Sequence, residues 1–196
     1  MNQQVLDELL ALKERDLATR SRLLQEGRLY GEYAEEMQQV HRGNAERLDE
    51  IVTEHGWPGI GLVGLEGCRA AWLIAQHSIC TPDRQRKFLA LLTAAVARGD
   101  APAQQAAYLA DRIRFNEGKA QIYGTVLDWN DQGELTCTVE DPESVDKRRR
   151  ELGLPPLAEY LEAQRKAADA EGAQPPGDRD AYTRKRDEWA RRVGWL

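Results

Sequence analysis

The stretch CRAAWLIAQHSI, residues 68–79, decides the fold class. Wound at 3.6 residues per turn, its apolar side chains cover nearly the whole circumference, the pattern of a helix buried at the centre of other helices. Gln76 and His77 close this oily helix, and buried polar groups need partners. A helix C-terminus favours a protonated imidazole, which makes His77 a candidate for proton transfer; the competing reading is that His77 caps its own helix.

Towards the N-terminus, GWPGIGLVGLEG (56–67) carries five glycines and a proline and reads as a loop anchored by Trp57. Before it, Leu6, Leu10, Leu17 and Leu24 recur at helical spacing and predict a helix over 5–26. A second helix is expected over 33–55, either kinked at Gly43 or restarted there with Asn44 as its cap. On the other side, Thr81 and Pro82 read as N-cap and first-turn proline of a helix ending at Gly99, and another helix runs from about 101 to 118.

Alternation then replaces the helical period. QIYGTVLDW, the turn NDQG and ELTCTVE predict a hairpin at about 121–140, which must pack on the helices because an isolated hairpin is marginal in water. Asp141 and Pro142 open a short helix closed by Gly153, and Pro155 and Pro156 introduce LAEYLEAQRKAA. The expected architecture is mainly α: a compact helical core over 1–168 with one β-hairpin packed on it. A Gly/Pro-rich linker follows over 169–180, then a C-terminal helix or tail over 181–196. Tyr182, Trp189 and Trp195 of that tail either dock back or meet a partner.

The charge balance, 27 Lys and Arg against 33 Asp and Glu with both signs interleaved, argues against nucleic-acid binding. The longest strongly apolar run, 70–75, is too short for a membrane span. The acidic, amphipathic start lacks the features of a secretory signal, so a cytoplasmic location is expected. Cys68, Cys80 and Cys137 are odd in number and widely spaced, which supports neither a disulfide framework nor a zinc knuckle. Nucleotide-binding glycine motifs and HExxH are absent. His41, His55 and His77 lack local ligand spacing, so no cofactor and no metal are expected, unless folding gathers His41 and His77 with Asp111.

Four constellations carry possible chemistry. Asp16 and Arg20 lie four apart on the flank of the first helix. In AAYLADRIRF, Arg112 shares a face with Tyr108 and Phe115, placing it to reach an anion while Asp111 orients a neighbouring His or Arg; the alternative is a structural ion pair. Gln121, Tyr123 and Thr125 point the same way along a strand, opposite a Gly124 that admits a close backbone or ligand; the alternative is a solvated edge. Of Arg148 and Arg149 in DKRRREL, one points inward and needs a carboxylate or a ligand anion.

In combination, HGWP (55–58), VG (63–64), AAWLIAQH (70–77), AYLADR (107–112), QIYGT (121–125), DPESVDKRRRELGL (141–154) and LAEYL (157–161) resemble an uncharacterised bacterial family, catalogued as a domain of unknown function. The resemblance covers 16–161. It implies a shared helical fold and the placement of Asp16, Arg20, Gln76, His77, Asp111, Arg112, Gln121, Tyr123, Thr125, Arg148 and Arg149.

Two functions follow as expectations. The first is a small acid–base enzyme of hydrolase, lyase or isomerase type acting on an anionic small molecule or a peptide carboxylate. In it His77 is the acid or base, Tyr123 its counterpart and Asp111 the orienting carboxylate. Arg112 and one of Arg148 and Arg149 clamp the anion, and Gln76, Gln121, Thr125, Asp16 and Arg20 complete the substrate site. The second is a non-catalytic interaction module in which these residues form a buried polar network.

Overall fold

A computed structural model describes residues 1–29 and 33–196. Its helices are α1 (Gln3–Gln25), α2 (Glu35–His55), α3 (Ile60–His77), α4 (Pro82–Ala97), α5 (Ala103–Asn116), α6 (Val145–Glu151), α7 (Leu157–Ala170) and α8 (Arg179–Val193). One antiparallel pair, β1 (Asp128–Trp129) and β2 (Leu135–Thr136), forms the hairpin. The protein is therefore mainly α with a single hairpin, as the periodicities predict. No described helix is long and apolar enough to cross a membrane. The chain divides into two compact units, Met1–Leu109 and Ala110–Leu196.

In the first unit, α1 buries Val5, Leu9, Leu12, Asp16 and Leu23. The expected stripe of Leu6, Leu10, Leu17 and Leu24 is rotated from this by about one residue, and Leu17 is exposed. Because α1 carries leucines on neighbouring rows, Leu9, Leu12 and Leu23 beside Leu6, Leu10, Leu17 and Leu24, apolar spacing alone fits two adjacent faces. The consequence is functional, since the true inward face contains a carboxylate. α2 continues unbroken through Gly43 and buries Met37, His41, Asn44, Ala45, Leu48, Ile51 and Val52. Asn44 does not cap a restarted helix; its Nδ2 donates to Leu12 O of α1 at 3.0 Å.

The glycine-rich stretch expected as a loop is largely the first half of α3. Only Gly64 leaves helical geometry, at φ 70° and ψ 175°, a left-handed excursion that glycine makes without steric cost. The kink folds Val63 over Gly67, where an added Cβ would lie 2.6 Å from Val63 Cβ and 2.9 Å from Leu6 Cδ1. Gly67 is thus a point where a side chain of α1 packs directly on the main chain of α3. The C-terminus of α3 is sealed by others: buried Gln85 of α4 donates to Ala75 O at 2.6 Å and Gln76 O at 3.1 Å, and Ser78 Oγ donates to Ile74 O at 2.7 Å. Its final carbonyls being taken, the helix leaves the His77 side chain to face elsewhere.

The second unit is built round a carboxylate. Residues 121–125 are not a strand, and Gln121 makes only an isolated parallel bridge to Val139. The Asp111 carboxylate instead accepts from Ile122 N at 2.7 Å, Tyr123 N at 3.2 Å, and Thr125 N and Oγ1 at 3.0 Å each. Gly124, at φ +69° with an added Cβ 2.9 Å from Leu157 Cδ1, makes the turn that presents these amides together. Main-chain groups collected by side chains have no ladder to join, so the alternation in QIYGT does not produce a strand. α8 docks within this unit: Tyr182 Oη donates to Asp128 Oδ1 and Arg186 Nη1 to Asp128 Oδ2, both at 3.0 Å, and Trp195 is buried.

Candidate functional site

Three helices of the first unit bring one titratable side chain each to a common point: Asp16 from α1, His41 from α2 and His77 from the end of α3. α1 and α2 run antiparallel in a register that Arg47 with Glu8 and Asn44 with Leu12 O fix at successive turns. The next turn puts His41 opposite Asp16. His77 Nδ1 lies 2.8 Å from Asp16 Oδ2 and 3.0 Å from Oδ1. His41 Nε2 lies 3.2 Å from Oδ2, and its Nδ1 is hydrogen-bonded to the Tyr33 hydroxyl. The two imidazole centroids are 4.9 Å apart.

One assignment of protons satisfies every contact. Tyr33 donates to His41 Nδ1, His41 Nε2–H points at Asp16, and His77 Nδ1–H donates to the same carboxylate. Burial by itself would raise the Asp16 carboxyl, but the hydrogen bonds and charges of His41 and His77 outweigh it and hold Asp16 well below the usual carboxylate range. Burial, with the neighbouring Cys80 and Asp16, pushes the Tyr33 hydroxyl far up, so it stays a neutral donor. Burial likewise raises the Cys80 thiol beside Tyr33; a protonated thiol is a poor nucleophile.

These groups line a cavity of about 180 Å³ together with Arg20 and the apolar Leu29, Ala34 and Met37. Asp16 and His41 are buried, whereas the His77 side chain is 27% exposed. Among the described residues no protein group holds the second ring nitrogen of His77. The volume is below the roughly 300 Å³ typical of drug-sized pockets, so the site suits a small metabolite.

The remaining sequence-derived candidates separate by unit. Asp16, Arg20, Gln76 and His77 lie in the first, where Gln76 is buried and its Oε1 accepts no hydrogen bond from the described residues. Asp111, Arg112, Gln121, Tyr123, Thr125, Arg148 and Arg149 lie in the second. There Gln121 exchanges hydrogen bonds with Val126 main chain at 2.7 and 2.9 Å. Arg148 donates to Ile122 O at 2.9 Å. Fully buried Arg149 donates to Tyr123 O and Pro155 O at 2.6 Å each and stacks 4.8 Å from the Tyr160 ring. Arg112 is half-buried on α5. The polar atoms of this group are engaged mainly with the main chain of 121–125. A larger cavity of about 460 Å³ in the second unit, between Phe115, Trp129 and Trp189, has the ion-paired Asp128, Arg179 and Arg186 on its wall but no histidine.

Sequence reasoning missed Tyr33 as a site residue and raised His41 only conditionally, as a ligand gathered with His77 and Asp111, whereas the carboxylate they meet is Asp16. For His41 a signal existed: it falls on the buried spacing 37, 41, 44, 48 of α2, where an imidazole needs a reason. Asp16 repeats that signal on α1.

Neither a curated protein nor a solved structure matches the chain. The sequence profile of DUF6624 matches residues 3–173, so the chain belongs to this family of unknown function.

Proposed function

We propose that the first unit carries the working site of a small acid–base enzyme for an anionic small molecule. The observation that carries this reading is the polarity of His77. Its Nδ1 is fixed on a buried carboxylate, and its partly exposed ring lines the cavity with no described protein group on Nε2. With the proton held on Nδ1, the lone pair of a neutral imidazole sits on Nε2, where it accepts a proton from a substrate and returns it later in the cycle. Asp16 fixes the ring and stabilises the imidazolium that forms; His41 and Tyr33 fix Asp16. Arg20, on the cavity wall one turn from Asp16, supports an anionic substrate. The Asp111 network favours a structural role for Gln121, Thr125, Arg148 and Arg149, and there the interaction-module reading gains its support.

The test is a substrate survey. Pooled small carboxylates, phosphate esters and acyl compounds are incubated with the full chain and followed by NMR for any consumed member. Turnover of at least one is expected, falling by about 10²–10⁴-fold in His77→Gln, the range a positioned acid–base group contributes. Turnover that survives His77→Gln would refute the assignment.

A further inference from the structure

We propose that Asp16, His41 and His77 also form a binding site for a first-row divalent metal ion, with zinc as the ion of best fit. Each residue offers one ligand atom, and no two of these atoms are more than 4.8 Å apart. Two of the three edges are already short: His77 Nδ1 to Asp16 Oδ2 at 2.8 Å and His41 Nε2 to Oδ2 at 3.2 Å. Ligands about 2.05 Å from a tetrahedral ion stand about 3.3 Å from one another. Two edges therefore lie within tenths of an ångström of the required spacing, and the third, between the imidazole nitrogens, lies within 4.8 Å, so an ion enters as the two rings close on it.

The donor set selects the class of ion. Two imidazoles and one carboxylate suit zinc and its first-row neighbours, whereas magnesium and calcium take oxygen ligands. Binding requires the other tautomer of each ring. His41 Nδ1–H then donates to the Tyr33 oxygen, the orienting contact that metal-bound histidines commonly have, and His77 Nε2–H faces the cavity. Three protein ligands from three packed helices leave the cavity side of the ion open, as in catalytic rather than structural sites.

The inference rests on the preceding reading in one respect, that this cavity is the working site. In the ion-bound form a bound water takes over the proton-transfer role of His77, and Arg20 keeps its place beside the substrate.

Full-length protein stripped with a chelator is titrated with Zn²⁺ by calorimetry and with Co²⁺ by visible absorption. One ion per chain is expected, with the strong d–d bands of a four-coordinate nitrogen–oxygen site, no thiolate charge-transfer band, and no competition from Mg²⁺. His41→Gln and Asp16→Asn should each weaken binding by more than about 100-fold, beyond the 10–100-fold cost of losing an outer partner, and Tyr33→Phe by about 10-fold. Absent binding, binding unchanged in His41→Gln, or a thiolate band overturns the proposal. Should a buried variant fail to fold by circular dichroism, His77→Gln, at a partly exposed position, gives the same comparison. Turnover by chelated protein that takes up no zinc would sink the metal site and keep the acid–base reading; stoichiometric zinc without turnover of any substrate would do the reverse.

Discussion

Asp16 and His77 meet at 2.8 Å because α1 and α3 run parallel in fixed register. At the other end of the same pair, Asn2 N–H donates to Leu62 O at 2.7 Å, and about four helical turns along α1 and α3 from there lead to Asp16 and His77. Between the two contacts lies Gly67, where a side chain of α1 packs on the main chain of α3. The geometry of the site is therefore set by a glycine about ten residues from the histidine it positions.

Gly67→Ala separates local propensity from packing. Alanine gains up to about 1 kcal/mol over glycine inside a helix, but its Cβ would fall 2.6 Å from Val63 Cβ and 2.9 Å from Leu6 Cδ1, and overpacking costs about 1–3 kcal/mol. The packing term wins. The variant is expected to be destabilised by about 1 kcal/mol in urea unfolding, with the His77 imidazole resonances shifted as α1 moves away. A gain in stability would show that the two helices separate freely and that Gly67 does not set the register.

Acid stability follows from Asp16. Its folded carboxyl lies well below its ordinary value of 3.8, so the stabilisation it contributes is complete above that value and is lost as pH falls towards the folded one. In metal-free protein, Asp16→Asn should cost on the order of 3 kcal/mol near neutrality, because it replaces the charged acceptor shared by two imidazoles with a neutral amide that accepts through one oxygen and turns an NH2 donor on the other ring N–H. The gap between wild type and variant should hold down to about pH 4 and narrow below it. Denaturant melts from pH 4 to pH 2.5 check this; a gap that widens over that range would contradict the sign.

Which parts of this were legible beforehand depended on what each residue's neighbours in sequence could say. The oily 68–79 stretch and the turn NDQG identify a helical protein with one hairpin because periodicity reports burial directly. The leucine spacing locates α1 along the chain but turns it by a residue, since its leucines populate adjacent faces, and that rotation sets Asp16 on the flank instead of the inward stripe. GWPGIGLVGLEG misleads because glycine serves close helix packing at Gly67 and a kink at Gly64 as readily as it serves loops. QIYGT misleads because its main chain is satisfied by Asp111, ten or more residues upstream, and by Arg148 and Arg149 downstream. Long-range partners of this kind leave no periodic trace.

The Asp111 network predicts a graded series. Thr125→Val removes one hydroxyl donor from a carboxylate that retains its amide partners, and should cost about 1 kcal/mol. Asp111→Ala leaves the amides of Ile122, Tyr123 and Thr125 without their acceptor, and should cost about 3 kcal/mol or more. Hydrogen exchange read at those three amides should speed up in Asp111→Ala and stay slow in Thr125→Val. Equal costs for the two variants would mean that the loop is held by Arg148 and Arg149 alone.

Tyr123→Phe and His77→Gln divide the two units by function. The Tyr123 side chain is half-buried, and burial followed by the Asp111 charge raises its hydroxyl; its main-chain N–H, not its side chain, holds the loop to Asp111. Deleting the hydroxyl keeps the ring and leaves no hydrogen-bonded partner orphaned, so the melting temperature should stay within about 1 °C, the scale of a few tenths of a kcal/mol in a chain of this size. His77→Gln gives up a contact with Asp16 at a partly exposed position, and should lower stability by about 1–2 kcal/mol while the fold persists. If the acid–base centre lies wholly in the first unit, turnover of any substrate found by the survey falls in His77→Gln and is retained in Tyr123→Phe. Loss of turnover in Tyr123→Phe at unchanged melting temperature would instead overturn the assignment of the acid–base centre to the first unit alone.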